Sequence, residues 1–206
     1  VPPGENLFFQ ALDEDFMALQ QMSTFVNLRA GEQRSCIGCH EGRTQAPNMA
    51  RDRVMAMNHP PQTLVPQPGD TGPRMIHYAS DVQPILDKHC ISCHSGEKPT
   101  ARLDLTGEPT AKWNRSHESL IKNRLVSYAD CRYGSSNFVA VPPLSRGSHR
   151  SKLSAQLRKD PCKGNITREE YIRIVTWIDA NVPYYGTYRG KRDLRDKDDP
   201  EFRLAP

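Results

Sequence analysis

The hydrophobic pattern divides the chain into stretches that favour regular elements and stretches that forbid them. Leu7–Leu12 and Ser23–Leu28 are short apolar and β-branched runs, separated by the acidic Asp13-Glu14-Asp15. They predict two strands that pair with each other or pack on the region after them. From Cys36 to Pro73 there is little periodicity, and Pro47, Pro60, Pro61, Pro66, Pro68 and Pro73 exclude a long helix. One short helix fits Asn48–Met57. The remainder is predicted as a wrapped loop, and so long a loop should have a task or a cofactor to lie against.

Helical signals come later. Over Ala79–His89, Ser80 or Asp81 can cap a helix in which Val82, Ile85, Leu86 and His89 share a face. That helix runs straight into Cys90. Further helices fit Ser116–Leu125 and Ser148–Leu157. The clearest begins at Thr167, where Thr167-Arg168-Glu169-Glu170 is a capping box. Tyr171, Ile174, Val175 and Ile178 form its apolar stripe with Trp177 beside them, and Asn181 or Pro183 ends it.

Apolar residues make up 36% of the 206, which is low for a chain that must bury a core from side chains alone. The net charge of +4 is mild, and no basic stretch is interleaved with aromatics, which argues against nucleic acid as a partner. No apolar run reaches transmembrane length, and no signal peptide is recognisable. Neither absence places the protein in the cytoplasm.

Six cysteines organise the chemistry. Four fall in two motifs, Cys36-Ile37-Gly38-Cys39-His40 and Cys90-Ile91-Ser92-Cys93-His94, both C-x-x-C-H. In that spacing two thiols can add across the two vinyl groups on one haem edge, and the following histidine falls under the iron as proximal ligand. A zinc ribbon would want its pairs about 15–20 residues apart and would leave both histidines unexplained. A thioredoxin-like dithiol would need a βαβ context, which the chain lacks. The expectation is two covalently bound haem c groups, with Cys36, Cys39, Cys90 and Cys93 as attachment points and His40 and His94 as proximal ligands. Thioether attachment implies a periplasmic or otherwise extracytoplasmic location. Two haems bring roughly four propionate charges, so the cationic side chains read as their partners and as solvated surface.

The sixth iron ligand decides between electron carriage and substrate chemistry. His149, in Gly147-Ser148-His149-Arg150, is the leading distal candidate for the second haem, beside the reading of an exposed helix-start histidine. His77 and His59 are weaker candidates, as are Met49, Met55 and Met57. His89 is expected to point away from the iron held by His94, and His117 is expected to cap or flank a helix without a further role. The spare cysteines, Cys131 and Cys162, suit a disulfide in an oxidising compartment. The alternative is Cys162 as a thiolate ligand to iron. Trp113, Trp177 and Tyr184 suit either haem packing or an ordinary core.

Several blocks together resemble the C-terminal dihaem region of the hydrazine synthase alpha subunit and its multidomain relatives. They are Phe9–Asp15, Ala30-Gly31-Glu32, Ser35–Glu41, Val82–Cys90, Pro142–His149 and Thr176–Gly186. The resemblance implies a six-coordinate electron-transfer haem on His94 with a distal histidine. It also implies a catalytic first haem with a tyrosine ligand four residues beyond the motif histidine. Here that position is Thr44, which cannot replace a phenolate on iron. Where relatives tend to carry histidine, this chain has Asp160-Pro161-Cys162-Lys163-Gly164, which brings Cys162 forward as an unusual ligand.

The resulting expectation is a mainly α, cytochrome c-like dihaem fold with long loops and a small N-terminal β element. Residues 1–35 form that element or the end of a preceding domain, 36–78 the first haem-binding region, 79–188 the second, and 189–206 a charged tail. The expected function is electron transfer between a redox partner protein and a larger enzyme or an adjoining domain. The competing expectation is a haem enzyme acting on a small nitrogen or oxygen species at the first haem. A sensor or adhesion module is a third.

Overall fold

A computed structural model describes residues 3–22, 25–32, 34, 44, 59–60, 63–129 and 142–186. The chain opens as an antiparallel hairpin in two pieces. β1 (Asn6–Leu7) pairs with β4 (Val26–Asn27), and β2 (Gln10–Leu12) pairs with β3 (Ala18–Gln21). The acidic stretch is the turn between β2 and β3, where Asp13 Oδ1 accepts from the amides of Asp15 and Met17, both at 2.9 Å.

Five helices follow among the described residues. They are α1 (Tyr78–Asp81), α2 (Gln83–His89), α3 (Arg115–Lys122), α4 (Lys152–Leu157) and α5 (Arg168–Asp179), with 3-10 turns at Thr100–Arg102 and Gly147–Arg150. The expected single helix over Ala79–His89 is therefore two. Pro84 has no N–H for the carbonyl four residues earlier, so the ladder breaks at Val82 and restarts with proline in its first turn. Asp81 does not cap forward as expected. Its carboxylate reaches back to the His77 amide at 2.7 Å.

The capping box of α5 forms as expected: Thr167 Oγ1 accepts from the Glu170 amide and Glu170 Oε2 from the Thr167 amide. The apolar stripe of α5 meets α1, α2 and α4 around Tyr78, Val82, Ile85, Leu86, Leu120, Leu153, Ile174, Trp177 and Ile178. Beyond Asp179 the chain turns through Asn181 and Val182, both at positive φ. A β-branched residue is unusual there. Val182 is held by its amide on Trp177 O (3.1 Å) and by its carbonyl, which accepts from His117 Nε2 (3.2 Å).

Two polar devices fasten the remaining pieces. Asp70 and Asp81 share Arg74 and Arg173 at 2.5–3.3 Å, which ties the proline-rich segment after residue 63 to α1 and α5. Asp179, buried at the end of α5, accepts from the amides of Ala18 and Ser148 and from Ser148 Oγ. Burial raises its pKa, against those hydrogen bonds and the nearby His149. Gly147 at φ +69 is required at this point, because an added Cβ would overlap Asp179 Oδ1.

Candidate functional site

The last turn of α2 carries the second motif out of the helix. The Cys90 amide donates to Leu86 O at 2.8 Å, and the amides of Cys93 and His94 fold back onto Cys90 O at 3.1 and 3.0 Å. Cys90 is half-buried, Cys93 is exposed, and both are free thiols. The chain then reverses through Gly96, at φ +81, and returns with the Thr100 amide on Cys93 O (2.9 Å) and the Leu105 amide on His94 O (2.8 Å).

That return fixes the imidazole. His94 Nδ1 lies 3.1 Å from Thr100 O and 3.2 Å from Leu103 O. Carbonyl oxygens only accept, so Nδ1 carries the hydrogen and the lone pair of the neutral ring falls on Nε2. A histidine that ligates through one nitrogen and donates from the other to a backbone carbonyl has this arrangement. Two cysteines on one turn, followed by a ring with its tautomer set, fit the donor set of a haem c.

Burial and a shared carboxylate act on the start of the turn. Burial pushes the Cys90 thiol up to about 11, with Cys162 and Cys93 adding to the shift. A thiol that stays protonated at neutral pH is slow to oxidise before it is used. Behind it, Glu170 receives Lys88 Nζ at 2.9 Å and faces His89 Nε2 at 3.1 Å. Burial would raise Glu170, but hydrogen bonds from Lys88, the Thr167 amide and His89 outweigh it and bring the carboxyl to about 2. One carboxylate thus joins the start of α5 to the residues just before Cys90.

The other predicted site residues scatter. Cys36, Cys39, His40, Met49, Met55, Met57 and Cys131 lie outside the described residues. His149 is turned to the hairpin, with Nε2 buried and 3.0 Å from Asp13 Oδ2, though not aligned for a hydrogen bond. The His77 ring sits about 6 Å from those of Tyr184 and Tyr185, with Nδ1 buried and unpartnered. Burial lowers its pKa against the pull of Asp81. His59 and Thr44 are exposed. Cys162 is a free thiol, half-buried against the same core as Cys90. Among the described residues no group of three or more His, Cys, Asp or Glu is placed to hold a metal ion.

Sequence reasoning missed His117. It is 1% exposed and stands edge-on to Tyr78 and Trp113 at 4.8 Å and to Tyr184 at 5.1 Å. Burial pushes it down to about 4, opposed by Val182 O and Glu118. A signal existed in Asn114, whose side chain caps the His117 amide at 3.0 Å and so places the ring inside the first turn of α3.

The model of one protein family, described as hydrazine synthase alpha subunit middle domain, matches residues 1–41. That is about a fifth of the chain, covering the hairpin and the first C-x-x-C-H and stopping well short of Cys90. No curated protein and no solved structure matches the chain. No helix among the described residues is long and apolar enough to cross a membrane.

Proposed function

We propose that this chain is a dihaem c-type cytochrome domain of cytochrome c-like fold that passes electrons between a redox partner and a larger enzyme or adjoining domain outside the cytoplasm. The observation that carries the reading is the His94 ring, its Nδ1 committed to Thr100 and Leu103 directly after two cysteines that no disulfide joins. Haem bound at such a turn supplies one-electron iron chemistry. The chain's own residues hold and tune it. Cys90 and Cys93 would hold it through their sulfurs, and His94 would bind it through Nε2. The Thr100 and Leu103 carbonyls make that nitrogen more electron-donating, and Glu170 keeps the approach to Cys90 from swinging. His149 would be the second histidine to hold it, and in the structure its Nε2 lies 3.0 Å from Asp13 Oδ2. The likeness to hydrazine synthase proteins supports the assignment only over the first 41 residues.

That same match includes the first motif, and it favours a second reading in which the haem on His40 acts on a small nitrogen or oxygen species. One experiment separates the readings. Covalent haem is counted after denaturation, and the ferrous spectrum is recorded with and without carbon monoxide. Two covalent haems and an unchanged spectrum are expected for the electron carrier. A carbon monoxide shift in one of the two haems would move the assignment to the enzyme, and no covalent haem would end both readings.

A further inference from the structure

We infer that Gln83 is a positioning residue for the proximal histidine, acting through Leu105 and the loop that carries both of the ring's acceptors. The inference rests on the haem reading of Cys90–His94 and adds to it a residue outside the motif.

Gln83 is the first residue of α2 and is 6% exposed. Its Nε2 donates to Leu105 O at 3.1 Å and to Asp87 Oδ1 at 2.7 Å. Both partners only accept, which fixes the orientation of the amide. Its Oε1 accepts from Asn114 Nδ2 at 3.1 Å and from Ser116 Oγ at 2.5 Å, and Ser116 Oγ in turn accepts from the Tyr78 hydroxyl at 2.8 Å. All four hydrogen-bonding sites of one buried amide are used. Such a network holds its members in a single arrangement, because every alternative leaves a buried group unpaired.

Leu105 transmits the hold. Its carbonyl is fastened to Gln83, and its amide donates to His94 O at 2.8 Å. Between these anchors the chain presents Thr100 O and Leu103 O to His94 Nδ1. The approach of Gln83 to this loop depends on Gly107, where an added Cβ would lie 3.2 Å from Gln83 Cγ and Cδ. A plain core role would need only volume at position 83. The donor on Leu105 O sets where the acceptors of the histidine stand. The strength of the Nδ1–H bond sets the basicity of the ligating nitrogen, and hence the reduction potential.

The test uses the haem-loaded full chain and a redox titration that resolves both haems. Gln83→Met keeps the volume and removes the donors. Gln83→Glu keeps an acceptor for Asn114 and Ser116 but offers an ionised carboxylate to Leu105 O and Asp87. Gly107→Ala displaces the amide without removing it and serves if the other variants fail to fold. In each, the midpoint potential of the haem held by His94 should rise, because a weaker Nδ1–H bond makes the ligand a poorer donor to ferric iron. The haem held by His40 should stay put, and the covalent haem count should be unchanged. Potentials that do not move while the melting temperature falls would reduce Gln83 to core structure and overturn the inference alone. A wild-type chain without covalent haem would overturn the haem reading and the inference with it.

Discussion

The helical body is held by burial: α5 presents Ile174, Trp177 and Ile178, at most 1% exposed, to an equally buried Tyr78, Val82 and Leu86. The hairpin before it spends its apolar residues differently. Phe8, Phe9, Leu12 and Phe25 are 43–58% exposed, and among the described residues of the hairpin only Met17 and Ala18 are buried. What fastens the hairpin is polar. Gln10 and Gln21 donate to Asp179 O, the Ala18 amide donates to the Asp179 carboxylate, and Arg158 pairs with Asp15. The two regions differ in what one lost group costs. Burial is spread over many side chains, each contributing about 1.5–3 kcal/mol. The hairpin's hold is concentrated on Asp179, with single bonds from Arg158 to Asp15, from Arg168 to Glu14 O and from the Leu144 amide to Leu19 O beside it.

Asp179→Asn is therefore the sharpest way to break the contrast. The carboxylate accepts three hydrogen bonds from buried donors. An amide can accept at one atom only and turns an N–H towards the rest. Hydrogen bonds to a charged group contribute about 1.5–3 kcal/mol, and orphaned donors cost more, so a loss of about 2–4 kcal/mol is expected. Limited proteolysis near Glu14 and Asp15 should speed up sharply, while the urea transition of the helical body moves less. If both move together, the hairpin and body are one cooperative unit and the division fails.

The body has a polar weakness of its own at His117, sealed among Tyr78, Trp113, Trp177 and Tyr184 with Nδ1 unpartnered. In the unfolded chain the ring takes up a proton near pH 6.5, but in the folded protein only at about 4. A depressed histidine pKa means that stability is complete above 6.5 and is lost as the pH falls towards 4. The loss by pH 4 is on the order of 2–3 kcal/mol. His77, also lowered by burial, adds in the same sense, and Glu118, which favours the protonated ring, opposes it. The measurement is the melting temperature from pH 8 to 4 in wild type and His117→Phe. The variant, weaker at pH 7 for want of the bond to Val182 O, should show a flatter acid limb. An identical slope in the two proteins would remove His117 as the cause.

What was legible in the sequence was local. The C-x-x-C-H turn and the capping box each span four or five residues, and chemistry alone specifies them. The expected reach of α2 was correct to His89, but the break at Val82 needed the missing Pro84 donor to be weighed against the stripe. Strand β3 was not expected, because Ala18-Leu19-Gln20-Gln21 favours helix by propensity and becomes strand only through its register on β2. Gln83 and Glu170 were invisible as site residues for another reason. Their partners lie 22 and 81 residues away in the chain, and nothing in either local pattern announces the contact. The same holds for Asp179, which reads as the polar end of a helix until the hairpin is laid against it.

Thr167→Ala offers the smallest effect and the most discriminating one. Removing the cap hydroxyl orphans the Glu170 amide, and N-cap losses of this kind cost about 1 kcal/mol. If Glu170 serves α5 alone, that is the whole consequence, and Glu170→Gln should be nearly silent, since glutamine also suits the capping box. If Glu170 also ties α5 to the approach to Cys90, as its bonds to Lys88 and His89 indicate, Glu170→Gln should cost stability that Thr167→Ala does not. Lys88 is 60% exposed, so its share is small, and the half-buried arm to His89 should dominate. A double-mutant cycle between Glu170→Gln and His89→Ala, read by urea denaturation, measures that arm directly. A coupling energy near zero would leave the apolar body without this polar tie and widen its contrast with the hairpin. A clear coupling would mean that the body, too, fixes the approach to Cys90 through a single carboxylate.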